Sequence, residues 1–285
     1  MNRWVAGARP RTLPVAVVPV VVGTAVASAQ GSVIWWRVVA ALVVSLGIQV
    51  GTNYANDYSD GIRGTDTVRV GPVRLVASGL ASPAAVRWAA IAAFAVAALA
   101  GLALTVAVGP ELLVVGALSI AAGWLYTGGP RPYGYSGFGE LFVFVFFGLV
   151  ATAGSAYVQL DRLTGLSLLA GVPVGLLATA VLVVNNLRDI AGDATVGKRT
   201  LAVRMGAPAT RVTYIACLLV PFAVVGLIAL SRPWALLALV ALIAAIPPVR
   251  RVAGGEQGRG LIEVLVATGR LHLIFGLLLA AGIAL

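Results

Sequence analysis

The sequence predicts an all-α membrane protein, and three observations support this fold class. The 285 residues are 60% hydrophobic and only 11% charged, and the mean hydropathy is +1.00. A water-soluble domain of this length needs more polar residues to cover its surface. Apolar runs of about 20 residues, the length with which an α-helix crosses a bilayer, recur along the whole chain. Most charged residues lie between these runs, where water can solvate them.

Charge, glycine and proline divide the chain into nine predicted transmembrane helices, which form one polytopic domain over residues 1–285. Their predicted limits are 13–30, 37–57, 84–107, 111–127, 138–158, 165–187, 209–230, 233–249 and 262–284. The fourth and eighth are short for a bilayer span. The longest polar stretches between them are 58–83, 188–208 and 250–261, and none is long enough to hold a second domain.

The basic residues predict how the chain is oriented. The N-terminus and the loops after the second, fourth, sixth and eighth spans, with the adjoining span ends that carry Arg87 and Arg211, hold sixteen of the 20 Lys and Arg residues, whereas the opposite side, including Arg37 at a span end, holds three. The positive-inside rule then places the N-terminus in the cytoplasm and the C-terminus outside, in the plasma membrane. This pattern accounts for the net charge of +10. No basic stretch is interleaved with aromatic residues, so the predicted partner is the lipid bilayer and no nucleic acid.

An acidic cluster lies at the cytoplasmic end of the second predicted span. On a helix, the positions of Gln49, Asn53, Asn56, Asp57 and Asp60 fall on one face, and Asp66 follows them. A second cluster lies at the cytoplasmic end of the sixth span, where Asn185, Asp189 and Asp193 are spaced by four residues. Carboxylates are costly near hydrocarbon and usually mark a functional site there.

Two matched clusters at the same membrane face predict a divided Mg²⁺ site that holds a diphosphate between its halves. Mg²⁺ is usually bound through one or two carboxylates together with the phosphate oxygens of a substrate. The alternative is that these acids only cap helix ends or lie solvated at the membrane surface.

The two clusters resemble the Asp-rich motifs of the UbiA superfamily of intramembrane prenyltransferases. Other segments resemble one branch of it, the 1,4-dihydroxy-2-naphthoate polyprenyltransferases of menaquinone synthesis. These segments are Arg9–Pro14, Gly71–Arg74 with Ala77–Leu80, Tyr126–Pro130 and Gly197–Arg204. The resemblance covers essentially the whole chain. Gly64 stands where the 4-hydroxybenzoate branch usually has a third Asp, which argues against that acceptor.

This resemblance implies a bundle of nine helices around a central cavity, with cytoplasmic cap loops and a side open to lipid. It implies Mg²⁺-dependent transfer of a polyprenyl group from polyprenyl diphosphate to 1,4-dihydroxy-2-naphthoate, with decarboxylation to demethylmenaquinone. The implied catalytic residues are Asp57, Asp60, Asp189 and Asp193. The same four residues, with Asp66, are the implied Mg²⁺ ligands.

Polar and aromatic residues near the acids are candidate contacts for the substrates. Arg63, Arg131, Arg188, Lys198 and Arg199 carry charges that suit a diphosphate, although basic residues also serve as orientation signals alone. The candidate substrate contacts also include the side-chain amides of Gln49, Asn53, Asn56 and Asn185. Tyr126, Tyr133 and Tyr135 are candidates to stack on the naphthalene ring, with Arg131 pairing with its carboxylate, although an interfacial aromatic belt would look the same.

Two other functions remain open from the sequence. A cation transporter would also line a cavity with acids, but it predicts polar or broken helices near the midplane with access from both sides. Here the acids cluster at one face and the outer half is nearly all Val, Ala and Leu. The second alternative is a UbiA-type enzyme with another acceptor, such as a phenolic ring, a haem or a sugar phosphate.

Overall fold

The computed structural model describes residues 2–65 and 74–285, and every regular element in these ranges is helical. We number the helices α1 to α10 in chain order: Arg3–Ala8, Pro14–Gln30, Trp35–Arg63, Pro83–Ala107, Glu111–Leu125, Gly139–Leu160, Gly165–Thr195, Leu201–Ala229, Pro233–Ala253 and Gly260–Ala284. Asp66 lies outside the described residues.

Several helices are long and apolar enough to cross a membrane, so the chain is an integral membrane protein. Among the described residues they are α3, α4, α6, α7, α8, α9 and α10. The N-terminal pair Arg3–Thr12 and Pro14–Gln30 adds an eighth if its two parts, bent by 52°, form one span. Helix α5 is apolar but shorter, with 15 residues. The number of spans therefore depends on how these two elements cross the bilayer.

The two helices that carry the acids are longer than predicted. Helix α3 continues past the predicted limit at residue 57 to Arg63, where Gly64 ends it in the left-handed conformation with φ of 69°. Helix α7 continues past residue 187 to Thr195. Asp60, Asp189 and Asp193 consequently lie on the last turns of rigid helices and not in loops, which fixes where their side chains start.

The helices form two groups with the candidate site between them. Helix α3 packs mainly on α4, with α5 against both, whereas α7 packs on both α6 and α8 and also contacts α10. Helix α2 lies against α6 and α10 and joins the groups. The largest buried cluster belongs to the second group and includes Leu177, Tyr214, Leu218 and Phe275. Because α7 contributes to this close-packed core, its position is fixed by α8 and α10.

Helices α6 and α7 cross closely because glycines face each other at the crossing. A Cβ atom added at Gly148 would lie 2.4 Å from the Cα atom of Gly175. Small residues at such crossings let backbones approach and pack. The seven residues Phe144–Val150 are wound as a π-helix at this point. This crossing sets the distance of the aromatic start of α6 from the acidic end of α7.

We expect Gly148→Ala to destabilise the bundle, because the new methyl group overlaps backbone that cannot move independently. Overpacking of this kind costs about 1–3 kcal/mol. Thermal unfolding in detergent measures the effect as a lower midpoint temperature. Gly154→Ala is the matched control on the same helix, because its Cβ would meet no atom within 4 Å. Equal midpoints for the two variants would contradict the close crossing.

Candidate active site

A cavity of about 560 Å³ lies between the two helix groups. Its walls come from the N-terminal segment and from α3, α4, α5, α6, α7 and α10. Apolar side chains such as Leu104, Val115 and Val150 line one part. The polar part is lined by residues that include Asn56, Asp60, Arg74, Asn185, Arg188, Asp189, Asp193 and Lys198. The volume is typical of a small-molecule site, and the lining suits a ligand with a charged head and an apolar tail.

Asp60 links the two groups of helices at the polar part of the cavity. Its side chain is buried, with 3% of its surface exposed. The Oδ2 atom lies 3.3 Å from Nζ of Lys198 and 3.7 Å from Nη2 of Arg74. Lys198 directly follows the end of α7, so this contact brings the acidic end of α3 to the segment after α7. The buried Asp60 carboxylate is thus compensated by cations from the segments before α4 and after α7.

Asp189 forms the centre of the second acidic cluster. Arg188 donates from Nε to Oδ1 and from Nη2 to Oδ2 of Asp189, both at 2.7 Å. Nη2 of Arg188 also donates to Oδ1 of Asn185 at 2.8 Å. Such bidentate pairs hold a guanidinium in one orientation. Arg188, Asn185, Asp189 and Asp193 all line the cavity, as the sequence pattern predicts.

Asp57 has a different environment from Asp60, although one helical turn separates them. It is completely buried and is not among the residues that line the cavity. Its Oδ2 accepts the backbone N–H of Leu75 at 2.8 Å, and its Oδ1 accepts that of Val76 at 3.0 Å. Both oxygens therefore hold the segment that begins at Arg74. The sequence predicts that Asp57 contacts the substrate. In the structure its carboxylate instead holds the backbone that follows Arg74 and so positions that residue.

Three of the basic candidates also lie outside the cavity lining. Arg63 donates to the backbone oxygens of Thr127 and Gly129 and so fastens the end of α3 to the loop after α5. Arg131 and Arg199 are exposed. The backbone N–H of Arg199 donates to Tyr135 O at 2.9 Å. The buried cations in the cavity wall are Arg74, Arg188 and Lys198, and Arg74 was not among the predicted contacts.

Aromatic rings form one wall of the cavity. Tyr126 and Tyr133 both line it, and their ring centres are 5.5 Å apart in an edge arrangement. Tyr133 stacks on Phe142 at 4.0 Å, and Phe142 stacks on Phe146 at 5.8 Å. Tyr133 also donates its hydroxyl to Ala122 O at 2.8 Å, which fixes the ring. Fixed aromatic faces can hold a flat ring or stabilise a carbocation.

Tyr135 contacts Asp60, a role that the sequence did not indicate, since there it was only a candidate to stack on the acceptor ring. Its hydroxyl donates to Oδ1 of Asp60 at 2.6 Å, and Nζ of Lys198 lies 4.8 Å from its ring centre. Burial, and after it the Asp60 carboxylate, raises the pKa of Tyr135 above its usual 10.0. Burial likewise raises the pKa of Tyr133. Both phenols thus stay protonated at neutral pH, and Tyr135 is a donor that orients Asp60.

We expect Tyr135→Phe to raise the KM for the diphosphate substrate about 10-fold, because Asp60 loses a charge-assisted hydrogen bond. Because the pKa of Tyr135 is raised, its hydroxyl keeps donating to Asp60 below pH 10, and this hydrogen bond is lost only at higher pH. The variant and the parent should therefore have parallel activity profiles from about pH 6 to 9. Tyr157→Phe is the control, because Tyr157 donates to Glu111 away from the cavity. Profiles that diverge near neutral pH would contradict this role.

Gln49 and Asn53 line the cavity, and both also hold the N-terminal segment in place. Nδ2 of Asn53 donates to Ala8 O at 2.9 Å. Nε2 of Gln49 donates to Oγ1 of Thr12 at 3.1 Å. Arg9 and Thr12 consequently become part of the cavity wall. These contacts join residues far apart in sequence, so no local pattern could have indicated them.

Comparison with known proteins decides the family. The model of the UbiA prenyltransferase family matches residues 16–257. The chain belongs to the UbiA prenyltransferase family. It is 50% identical over 282 residues to a Mycobacterium tuberculosis protein named 1,4-dihydroxy-2-naphthoate octaprenyltransferase, covering 99% of this chain and 97% of that protein. A Mycobacterium leprae protein of the same name is 47% identical over 283 residues, covering 99% and 96%.

Solved structures agree on the fold of this UbiA family member. A UbiA homologue from Archaeoglobus fulgidus, solved with GPP and Mg²⁺ bound, superposes with a TM-score of 0.63 over 100% of both chains at 15% identity. The described residues of the present structure contain no group of three or more His, Cys, Asp and Glu side chains that could hold a metal by themselves. Asp60, Asp189 and Asp193 nevertheless give the cavity carboxylate oxygens from both helix groups, which suits Mg²⁺ bound together with a diphosphate.

Proposed function

We propose that the protein transfers a polyprenyl group from polyprenyl diphosphate to 1,4-dihydroxy-2-naphthoate in menaquinone synthesis. The observation that carries this proposal is the contact of Lys198 with Asp60, which joins the two acidic halves at one cavity. The two Mycobacterium relatives, which match over nearly their whole length, support the same acceptor. The aromatic wall beside the acids provides surfaces on which a naphthalene ring can stack.

The proposed diphosphate site lies between Asp60 on α3 and Asp189 with Asp193 on α7, and these three carboxylates would hold Mg²⁺. The chemistry that Mg²⁺ supplies when bound is neutralisation of the diphosphate, which makes it a better leaving group. Lys198, Arg188 and Arg74 bind the remaining phosphate oxygens. As buried cations they act in a low dielectric, where charge stabilisation is strong. The side-chain oxygen of Asn56 accepts a hydrogen bond from the Thr127 hydroxyl, and that of Asn185 accepts one from Arg188. The two amides thus orient these donors.

The reaction breaks the allylic C–O bond, forms a C–C bond to the acceptor ring and breaks the bond to the carboxylate. The leaving groups are diphosphate and CO₂. The ring hydroxyls supply the electrons, so no protein base is required, in agreement with the protonated state of Tyr133 and Tyr135. The immediate product is the quinol form of demethylmenaquinone, because no oxidant takes part. The apolar cavity walls exclude water, which would otherwise capture the allylic cation.

We also propose nine membrane spans in the plasma membrane. The number follows if α5 and the bent N-terminal pair each count as one span beside the seven long helices. The positive-inside rule then supports a cytoplasmic N-terminus and active site, and a C-terminus outside. The loops around Leu75, Tyr135 and Lys198 would cap the cavity on the cytoplasmic side. Reaction of single introduced cysteines with a membrane-impermeant thiol reagent tests the orientation of each loop.

The test of the function is incubation of the purified protein with Mg²⁺, a polyprenyl diphosphate and 1,4-dihydroxy-2-naphthoate. We expect a product whose mass equals that of the acceptor acid plus the prenyl group, minus CO₂ and one hydrogen, in the quinol form. A parallel panel with 4-hydroxybenzoate and other phenols should give little product. If another compound is prenylated in preference to dihydroxynaphthoate, that compound and not dihydroxynaphthoate is the acceptor. Absence of any prenylated product would contradict the enzymatic function.

A further inference from the structure

The N-terminal segment forms a rigid wall of the cavity on the side of α3 and α10. Thr12 donates its hydroxyl to Arg9 O at 3.0 Å, and its Oγ1 accepts the amide of Gln49. The backbone oxygen of Arg11 lies 3.2 Å from the place where a Cβ at Gly269 would be, so the segment rests on α10. The segment thus connects α3 with α10 and presents Arg9 to the cavity.

These hydrogen bonds also fix the direction of two side-chain amides. A backbone carbonyl only accepts, so the nitrogen of Asn53 must face Ala8 O and its oxygen must point away from it. The hydrogen of the Thr12 hydroxyl is used for Arg9 O, so Gln49 must also present its nitrogen to Thr12. The remaining amide oxygens, Oε1 of Gln49 and Oδ1 of Asn53, receive no hydrogen bond from the described residues. Two hydrogen-bond acceptors are therefore available in the cavity wall.

Arg9 has a strained backbone and a side-chain donor without a partner. Its backbone is in the left-handed region, with φ of 53° and ψ of 69°, which non-glycine residues rarely adopt. Its Nη2 atom is shielded from solvent and has no hydrogen-bond partner in residues 2–65 and 74–285. A buried donor without a partner costs about 1–3 kcal/mol, and more when it is charged. The cost of the unpartnered Nη2 atom is recovered if an anion binds to the Arg9 guanidinium.

We propose that Arg9 binds the carboxylate of the aromatic acceptor, while the side-chain oxygens of Gln49 and Asn53 accept hydrogen bonds from its ring hydroxyls. This inference rests on the proposed function, since it assigns the acceptor part of the same cavity. The wall offers one guanidinium and two acceptors, and dihydroxynaphthoate offers one carboxylate and two hydroxyl donors. Arg131, the carboxylate partner expected from the sequence, is exposed and outside the cavity lining.

The position of Arg9 separates it from the diphosphate end of the cavity. Asn53, which holds Ala8, precedes Asp60 by seven residues, or about 10 Å along the helix axis. The cations beside the acids are Arg74, Lys198 and Arg188, each within hydrogen-bonding or ion-pair distance of Asp60 or Asp189. A ring between these two positions would have its carboxylate at Arg9, and the ring edge that bears this carboxylate, where prenylation and loss of CO₂ occur, would also face the allylic carbon.

The experiment compares two acceptors in the parent protein and in Arg9→Gln, with polyprenyl diphosphate and Mg²⁺. The acceptors are 1,4-dihydroxy-2-naphthoate and 1,4-dihydroxynaphthalene, which lacks the carboxylate. We expect Arg9→Gln to lower kcat/KM for the first about 10- to 100-fold, as for the loss of a charge-assisted bond, and to change it for the second by less than about threefold. The KM for the diphosphate should stay the same. Arg9→Lys should restore part of the activity with the carboxylate acceptor only.

Arg87→Gln is the matched control, because Arg87 is an exposed basic residue on α4 outside the cavity lining. It should leave both acceptors unaffected. Equal losses with both acceptors in Arg9→Gln, or a raised KM for the diphosphate, would overturn the assignment of Arg9 and leave the prenyltransferase function intact. A parent protein that prenylates neither acceptor would overturn the proposed function and this inference with it. Thermal unfolding of the variants shows whether a loss comes from folding.

Discussion

Asp60→Asn is expected to reduce prenyl transfer by about 1,000-fold, the larger of two effects that we expect in the active site. The substitution removes a carboxylate from the proposed diphosphate site, and groups that stabilise charge in a dry site are typically worth about 10²–10³ in rate. It also removes the anion beside Lys198 and Arg74, both of which are buried. Leaving a buried charge without its partner destabilises a protein by about 3–5 kcal/mol.

Steady-state kinetics in detergent or nanodiscs measures this loss, and thermal unfolding measures the change in stability. Asp161→Asn is the control, because Asp161 pairs with Arg37 at 3.3 Å but has 61% of its side chain exposed. An exposed ion pair contributes about 0–1 kcal/mol, so this variant should keep nearly full activity. Asp60→Asn with more than a tenth of the parent activity would contradict the proposed role of Asp60.

Asp57→Asn is expected to reduce activity about 100-fold by a different route. Asp57 accepts the backbone N–H groups of both Leu75 and Val76. An Asn side chain has one accepting oxygen, and its nitrogen would face the second N–H group. Hydrogen bonds to a charged group are worth about 1.5–3 kcal/mol each. The segment that begins at Arg74 should therefore lose its fixed position, and with it the contact of Arg74 with Asp60.

Limited trypsin digestion separates this route from direct loss of a substrate ligand. Arg74 is 8% exposed in the folded protein and should resist cleavage. We expect Asp57→Asn to be cleaved after Arg74 much faster than the parent, whereas Asp60→Asn should be cleaved at a rate closer to that of the parent. Digestion of Asp57→Asn at the parent rate, together with a full loss of activity, would indicate that Asp57 contacts the substrate directly.

Helix geometry explains which of the candidate residues on α3 and α7 line the cavity. At about 100° per residue, Gln49, Asn53, Asn56 and Asp60 lie within about 60° of one another around α3, whereas Asp57 lies about 70° from the middle of that face. The four residues line the cavity and Asp57 does not. The same arithmetic was available from the sequence alone. The spacing of Asn185, Asp189 and Asp193 likewise predicts their common position on the cavity side of α7.

The positions of the cations could not be predicted in the same way. Arg63 has the charge and the sequence position of a diphosphate ligand, but its guanidinium reaches backbone oxygens of the loop after α5. Arg9 is held at the cavity by the contacts of Asn53 with Ala8 and of Gln49 with Thr12, which join residues about 40 positions apart. Long flexible side chains follow tertiary contacts and not local periodicity. The number of spans also depends on how short or bent helices meet the bilayer, which hydropathy does not specify.

The most direct measurement is the affinity of the protein for a non-cleavable thiodiphosphate analogue of the prenyl donor, with Mg²⁺, in a double-mutant cycle. If the ends of α3 and α7 bind one diphosphate, Asp60→Asn and Asp189→Asn each weaken binding at least about 10-fold, and the double variant loses far less than the product of the two. Losses that multiply as for independent sites, or no effect of one variant, would contradict a single shared site.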